Sequence, residues 1–336
     1  MWKTTRWLAK GAKIVLLLIF TFLLLEYGMR AVKAWTYDGC LYIGAPSINS
    51  RLDRKYGWMS PKSFRVYKNT ACYGTGPLTY NEQGFRAPPP AEATNAYPII
   101  CILGDSTMQG YQIPDGGYLP HMLQHELEKT YRKPYVLPLA VGGYGTTQEW
   151  MLFEDFGRPL HPTILIWHWC GNDPQNNDYI AERCFGPSNN NERPRPYLED
   201  GGIVIRHPYP LHICDRFDEM MSIRLVNGFL LKWTARPASE LPPHLENGWK
   251  VADELIARVA GEVDHKIGLV GVGEDRAISM FRAHGFQVAE YSYPKSCTCL
   301  PKDSHPNTEG HRLILQALMP VLRTELKSLD ASAPHN

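Results

Sequence analysis

The chain has 336 residues, 44% of them hydrophobic and 21% charged, with a formal net charge of +1. That length allows one large α/β domain with added segments or two small domains, and the apolar share suffices for a sizeable core. The near-neutral charge, with no basic cluster interleaved with aromatics beyond the N-terminus, gives no argument for nucleic acid or for a strongly acidic partner.

Residues 1–30 read as a cytoplasmic tip and an N-terminal anchor. Lys3, Arg6, Lys10 and Lys13 precede the uncharged run from Ile14 to Leu25, and Glu26 and Arg30 follow it. The strongly apolar run is short of the about 20 residues a full span needs, and also suits a signal-peptide core. No small-x-small cleavage site follows Leu25 closely, and the helix can extend backward with Lys10 and Lys13 snorkelling and Trp7 at the interface. An uncleaved signal anchor is expected; a cleaved signal peptide or an amphipathic surface helix are the alternatives. The positive-inside rule keeps the N-terminus in the cytoplasm and sends the rest across the membrane. In a bacterium that makes a single-pass protein of the inner membrane with a periplasmic or otherwise extracytoplasmic domain.

Residues 31–97, rich in Gly, Pro, Asn and Tyr, read as a juxtamembrane segment that packs on the core, and Ala87-Pro88-Pro89-Pro90 marks its boundary. The core domain, 98–330, alternates strands and helices. Strands are expected at Pro98–Leu103, Tyr135–Leu139, Thr163–Trp169, Lys266–Val272 and Phe286–Tyr293. Helices are expected near Leu119–Tyr131, Thr147–Phe156, Asp275–Ala283 and Asn307–Leu329. This alternation predicts an α/β fold, a mostly parallel sheet with helices on both faces. Residues 174–243 break the rhythm and read as an insertion or lid, with a hairpin around Tyr197–Arg206 turning at Asp200-Gly201-Gly202.

Of the eight cysteines, Cys101 and Cys170 lie in or beside expected buried strands. Cys40, Cys72, Cys184, Cys214, Cys297 and Cys299 lie in loop-like context. An exported chain can pair them, and Cys40 with Cys72 and Cys184 with Cys214 are the pairings considered, although spacing does not decide connectivity. Cys297-Thr298-Cys299 lacks zinc-site spacing, so no metal is expected.

Chemistry concentrates at the strand ends. Gly104-Asp105-Ser106 follows the first core strand, where side chains of an open α/β sheet project into the ligand crevice. A serine there becomes a nucleophile when a base reaches it. Gly142-Gly143-Tyr144-Gly145 follows the second strand and Gly171-Asn172-Asp173 the third; Asp303-Ser304-His305-Pro306-Asn307 comes far downstream. Met108 replaces the last glycine of a Gly-x-Ser-x-Gly elbow, and the glycine loop lacks Gly-x-Gly-x-x-Gly spacing, so neither an elbow nor a dinucleotide site is read. Asp105 is expected to shape the turn. Trp167 and Trp169 alternate with His168 along a strand, so at least one tryptophan is core, and an exposed one offers a face for a sugar.

These four segments, in this order, resemble the GDSL/SGNH hydrolase family across roughly Asn81 to Leu329. Asn81-Glu82-Gln83-Gly84-Phe85-Arg86 also resembles its membrane-anchored bacterial members. The resemblance implies a three-layer α/β/α sandwich and a serine esterase with no cofactor. Ser106 is then the nucleophile and His305 the base, with Asp303 orienting His305. The oxyanion hole is formed by the N–H groups of Ser106 and Gly143 and the side-chain amide of Asn172. The family's acid usually stands three residues before the histidine; Lys302 holds that place here, so a Ser–His dyad oriented by a backbone carbonyl is the alternative to a triad. Pro138 and Ala140 stand where the second block usually has Asn and Gly. The substrate implied is an acyl or O-acetyl ester, on an envelope glycan or lipid. An O-acyltransferase or a non-catalytic scaffold of the same fold are the alternatives.

Overall fold

The computed structural model describes residues 2–33, 51–70, 74–185, 193–207, 220–299 and 304–332. Helix α1 (Trp2–Lys33) stands at the N-terminus. Two antiparallel pairs follow, β1 (Arg51–Asp53) with β2 (Gly57–Met59) and β3 (Phe64–Thr70) with β4 (Gly74–Tyr80). The core then runs β5 (Ile99–Gly104), α2 (Ser106–Gln109), α3 (Leu119–Glu128), β6 (Tyr135–Ala140), α4 (Thr146–Leu152) and β7 (Ile164–His168). Next come α5 (Asp173–Asn176), α6 (Tyr179–Cys184), the hairpin β8 (Arg195–Glu199) and β9 (Gly202–Arg206), α7 (Met221–Trp233) and α8 (Leu241–Ala260). The chain closes with β10 (Lys266–Gly271), α9 (Asp275–Ala283), β11 (Gln287–Tyr291) and α10 (Thr308–Ser332).

Five strands form one parallel sheet in the order β11-β10-β7-β5-β6. Strands buried on both faces read as continuous apolar runs, which is why Ile-Ile-Cys-Ile-Leu and Ile-Leu-Ile-Trp show no polar alternation. Successive side chains still face opposite layers. Ile100 and Ile102 join Leu119, Leu123, Leu127, Ile314, Leu318 and Leu322 from α3 and α10 on one face. Cys101 and Leu103 join Leu152 from α4, Leu255 and Ile256 from α8 and Phe281 from α9 on the other. The result is an α/β/α sandwich. Tyr56, Trp58, Met59 and Phe85, from ahead of the first core strand, belong to the second layer.

The order of strands reverses between β5 and β7, because β6 lies on one side of β5 and β7 on the other. A crevice opens at such a switch point beyond the carboxyl ends of the strands. Both Ser106 and Asn172 come from strands that meet there.

The hairpin forms as expected, with Asp200 (φ 50) and Gly201 (φ 78) in the left-handed region that a tight two-residue turn requires. Helix α8, to which the sequence reading assigns no element, is the crossover from β7 back to β10. Its Gly248 meets α5 so closely that a Cβ would lie 1.7 Å from the Pro174 carbonyl oxygen. Within α1, Lys10–Val32 is 23 residues long and apolar enough to cross a membrane. Trp167 (0% exposed) and Trp169 (2%) are both core, so neither offers an exposed face for a sugar. Among the described residues, Cys101, Cys170, Cys184 and Cys297 are free thiols. Cys184 donates to the Pro237 carbonyl oxygen; Cys214, its partner in the pairing considered, lies outside the described residues. Cys40 and Cys72 also lie outside them. Cys297 and Cys299, read as loop cysteines, are buried.

Candidate active site

Ser106 opens α2 directly after β5. Asp105 caps this helix, its Oδ1 accepting from the Thr107 N–H at 3.3 Å, so it shapes the turn as its position suggests. As the first helical residue, Ser106 has a backbone N–H with no partner inside the helix. His305 arrives from the other end of the chain and sets its Nε2 2.7 Å from Ser106 Oγ. Its loop is fixed by backbone pairing: Cys299 N–H donates to the His305 carbonyl oxygen (2.9 Å) and Asn307 N–H to that of Cys297 (2.8 Å). The Asn307 side chain accepts from the Glu309 and Gly310 N–H groups, both at 3.0 Å, and donates to the Ser296 carbonyl oxygen at 3.2 Å. It therefore caps α10 and pins the histidine loop at once. Asp303 lies outside the described residues.

Asn172 follows β7 and stands at the start of α5, where its side chain makes no capping bond. It lines one open cleft of ≈ 250 Å³ together with Ser106 and His305. Tyr291, Tyr293 and Glu274 form other parts of the wall.

In the glycine loop, Gly142 packs against the serine: a Cβ on Gly142 would sit 3.5 Å from Ser106 Cβ. The Gly142 N–H is held by Gln109 Oε1 at 2.9 Å and its carbonyl accepts from Trp58 Nε1 at 3.0 Å. Gly143 (φ 80) follows in the left-handed region, its carbonyl accepting from Arg195 at 2.7 Å. Its N–H makes no hydrogen bond among the described residues. The Arg195 guanidinium lies 4.8 Å over the Trp58 ring and pairs with Glu182 at 2.9 Å. Support for the loop thus comes from β2, α2 and β8, which the altered second block does not reveal.

Behind the serine runs a polar chain that sequence reasoning missed. Asp105 Oδ2 lies 3.2 Å from Ser106 Oγ, and Asp105 Oδ1 accepts from the Cys170 thiol at 2.7 Å. Cys170 Sγ meets His168 Nδ1 at 3.4 Å, and His168 Nε2 meets the Tyr291 hydroxyl at 2.8 Å. Burial pushes His168 down to about 4, against the Asp105 charge, so the ring is neutral at pH 7. Burial first, then Asp105, pushes the Cys170 thiol up, so it keeps its proton. One proton inventory then satisfies the chain: Tyr291 O–H to Nε2, Nδ1–H to sulfur, S–H to Asp105. The ligand-type atoms of Asp105, His168 and Cys170 lie within 4.8 Å of one another, a closeness that these hydrogen bonds account for.

Two more carboxyls are buried nearby. Glu149 accepts from Trp167 Nε1 at 2.6 Å, and burial pushes it up to about 8. Asp173 accepts from the Cys170 N–H at 3.0 Å and is pushed well up by burial, then by Glu149 and Asp105.

The Asn81–Arg86 segment also finds a role. Asn81 Oδ1 accepts from the Gln83 and Phe85 N–H groups at 3.0 Å. This tight turn delivers Arg86, which donates to the carbonyls of Gln109 and Ile113 and to Asp115, at 3.3, 2.8 and 2.8 Å, and lies 4.0 Å over the Tyr118 ring. Arg86 therefore ties down the far end of the serine's helix.

No family model matches the chain, and no curated protein does. The structure is similar to LAE5, an alpha/beta hydrolase enzyme from the metagenome of Lake Arreo, Spain, at 15% identity over 67% of this chain and 95% of that one, with a TM-score of 0.38. It is similar to TesA at 11% identity over 68% and 99%, with a TM-score of 0.34. It is also similar to a catalytic mutant of Axe2, an acetylxylan esterase from Geobacillus stearothermophilus, at 9% identity over 67% and 94%, with a TM-score of 0.38. In this chain itself, the segments that resemble the GDSL/SGNH pattern are carried on the α/β/α sandwich that the resemblance implies.

Proposed function

We propose that the chain is a membrane-anchored serine esterase that cleaves small acyl esters through an acyl-Ser106 intermediate. The observation that carries this reading is the 2.7 Å contact of His305 Nε2 with Ser106 Oγ across 199 positions of sequence. A serine hydroxyl needs such a base to become nucleophilic. With Nε2 facing the serine, the neutral ring carries its proton on Nδ1 and Nε2 is free to accept. Asp303 is the proposed orienter of that Nδ1–H.

In the reaction, Ser106 Oγ bonds to the acyl carbon while its proton passes to His305 Nε2. The negative carbonyl oxygen is met by the N–H groups of Ser106 and Gly143 and by the Asn172 amide. The ester C–O bond then breaks, and the leaving alkoxide takes the proton from His305. Water repeats the sequence on the acyl-serine, giving the carboxylic acid and restoring the enzyme. The polar wall of Asn172, Glu274, Tyr291 and Tyr293 supports an O-acetyl ester of an envelope glycan over a long-chain lipid ester. The span within α1 and the basic residues ahead of it support an inner-membrane anchor with the domain on the extracytoplasmic side. The Glu26 carboxylate, bonded to the N–H groups of Met221 and Ser222 at 2.8 Å, ties α1 into the fold and favours retention over cleavage.

The test is hydrolysis of p-nitrophenyl acetate and octanoate by the detergent-solubilised full chain. We expect acetate to be preferred, and Ser106→Ala to lose at least about 10³-fold in kcat. Full activity in Ser106→Ala, or none in the folded wild type, removes the proposal. Asp303→Asn separates the two arrangements: a large loss supports the triad, a small one the dyad.

A further inference from the structure

Helix α7 carries a surface that the proposed chemistry does not use. Leu225 (66% exposed), Val226 (45%), Phe229 (57%) and Trp233 (78%) are all open. At 100° per residue these four fall on one side of the helix, with Lys232 at the edge of the same stripe. The opposite side is buried through Asn227 (1% exposed) and Leu231 (2%). Phe229 and Trp233 contact each other, ring centroids 5.3 Å apart. So many large apolar side chains on one short exposed face call for a partner.

The start of α7 indicates which partner. Its N-terminus rests on Glu26 of α1: the carboxylate accepts from the Met221 and Ser222 N–H groups, both at 2.8 Å, and from the Ser222 hydroxyl at 2.9 Å. Arg30 completes the pairing at 2.7 Å. Glu26 lies inside the apolar stretch Lys10–Val32, about 9 Å from its end at 1.5 Å per residue. Helix α7 thus begins at the depth of a candidate membrane span. Neighbouring α1 side chains Leu23, Leu24 and Leu25 are 42, 65 and 57% exposed, so the apolar surface of one helix continues onto the other. With 13 residues α7 is about 20 Å long, too short to cross a hydrocarbon core of about 30 Å. Its far end carries Lys232 and Trp233, the residue types that settle at the membrane–water boundary.

We propose that α7 is a second membrane element, immersed in the outer leaflet beside α1 with its Leu225–Phe229–Trp233 face against lipid. Its occupant is the bilayer itself. The inference rests on reading α1 as a membrane span. It is independent of the ester chemistry. Because α7 leads into α8, which packs on α5 behind Asn172, it also sets the cleft at a fixed height above the membrane.

The full chain is reconstituted into vesicles of phosphatidylethanolamine and phosphatidylglycerol containing a diazirine-bearing phospholipid, irradiated, and mapped by peptide mass spectrometry. We expect lipid adducts on α1 and on residues 225–233, and none around the exposed Glu254 of α8. Leu225→Gln with Phe229→Gln, at exposed positions where folding is not at stake, should lower the α7 adducts several-fold and leave those on α1 unchanged. Glu26→Ala should do the same by releasing the helix start. Adducts on α1 alone overturn the inference while keeping the anchor. Adducts on neither helix overturn the anchor reading too. Cross-linking of α7 to a second copy in place of lipid also overturns it.

Discussion

Asn172 stands four residues past the end of a buried strand, lines the cleft and makes no side-chain capping bond, which suits the oxyanion role proposed for its amide. A preorganised donor aimed at developing charge acts on the transition state far more than on the bound ester. We therefore expect Asn172→Ala to lower kcat about 10²–10³-fold and to change KM little, as measured with p-nitrophenyl acetate. A change confined to KM would instead make Asn172 a binding residue. At this scale Ser106, Asn172 and His305 are legible in the sequence because each stands at a local boundary, a strand end or a helix start, that its neighbours announce. His168, Cys170 and Tyr291 are not legible. Tyr291 lies 123 positions from His168, and nothing near either residue signals the contact.

The glycine loop shows how elements distant in sequence build one feature. Its second block lacks the usual Asn and Gly, and the missing support is replaced by Gln109 from α2, Trp58 from β2 and Arg195 from β8. The small β1–β2 pair is thus part of the site's framework. Trp58→Phe removes the bond to the Gly142 carbonyl oxygen and trims the buried indole over which Arg195 lies. We expect it to cost about 2 kcal/mol or more of stability, read by urea denaturation, and to lower kcat several-fold as the loop loosens. A loss of stability with unchanged kcat would show that Gln109 and Arg195 hold the loop without it.

Over the whole molecule, the layer beneath the cleft is unusually rich in buried acid. Asp105, Glu149 and Asp173 are each 2% exposed or less, with Arg195 and Glu182 buried beside the loop. Glu149, raised to about 8 in the fold by burial, binds its proton more tightly than in the unfolded chain. Stability from that proton is fully present below the unfolded value near 4.5 and is lost as pH rises through about 8. Glu149→Gln keeps an acceptor for Trp167 and removes this loss. We expect its melting temperature to gain on the wild type progressively from pH 5 to pH 8, by calorimetry. A gap that stays constant across that range would mean that Glu149 does not titrate in it.

The parallel sheet, its flanking helices apart from α8, and the four chemistry-bearing segments follow from local signals: continuous apolar runs for strands buried on both faces, glycines where strands end, Asn307 where the last helix begins. Those signals need no knowledge of what lies across space. Tertiary structure alone decided the rest. It packed Gly142 against Ser106, buried both Trp167 and Trp169, and recruited Trp58 and Arg195 to the loop. It drew α7, whose apolar stripe reads like any core helix, onto Glu26 with that stripe facing outward. Periodicity states that a face is apolar; only packing states whether protein or something else covers it.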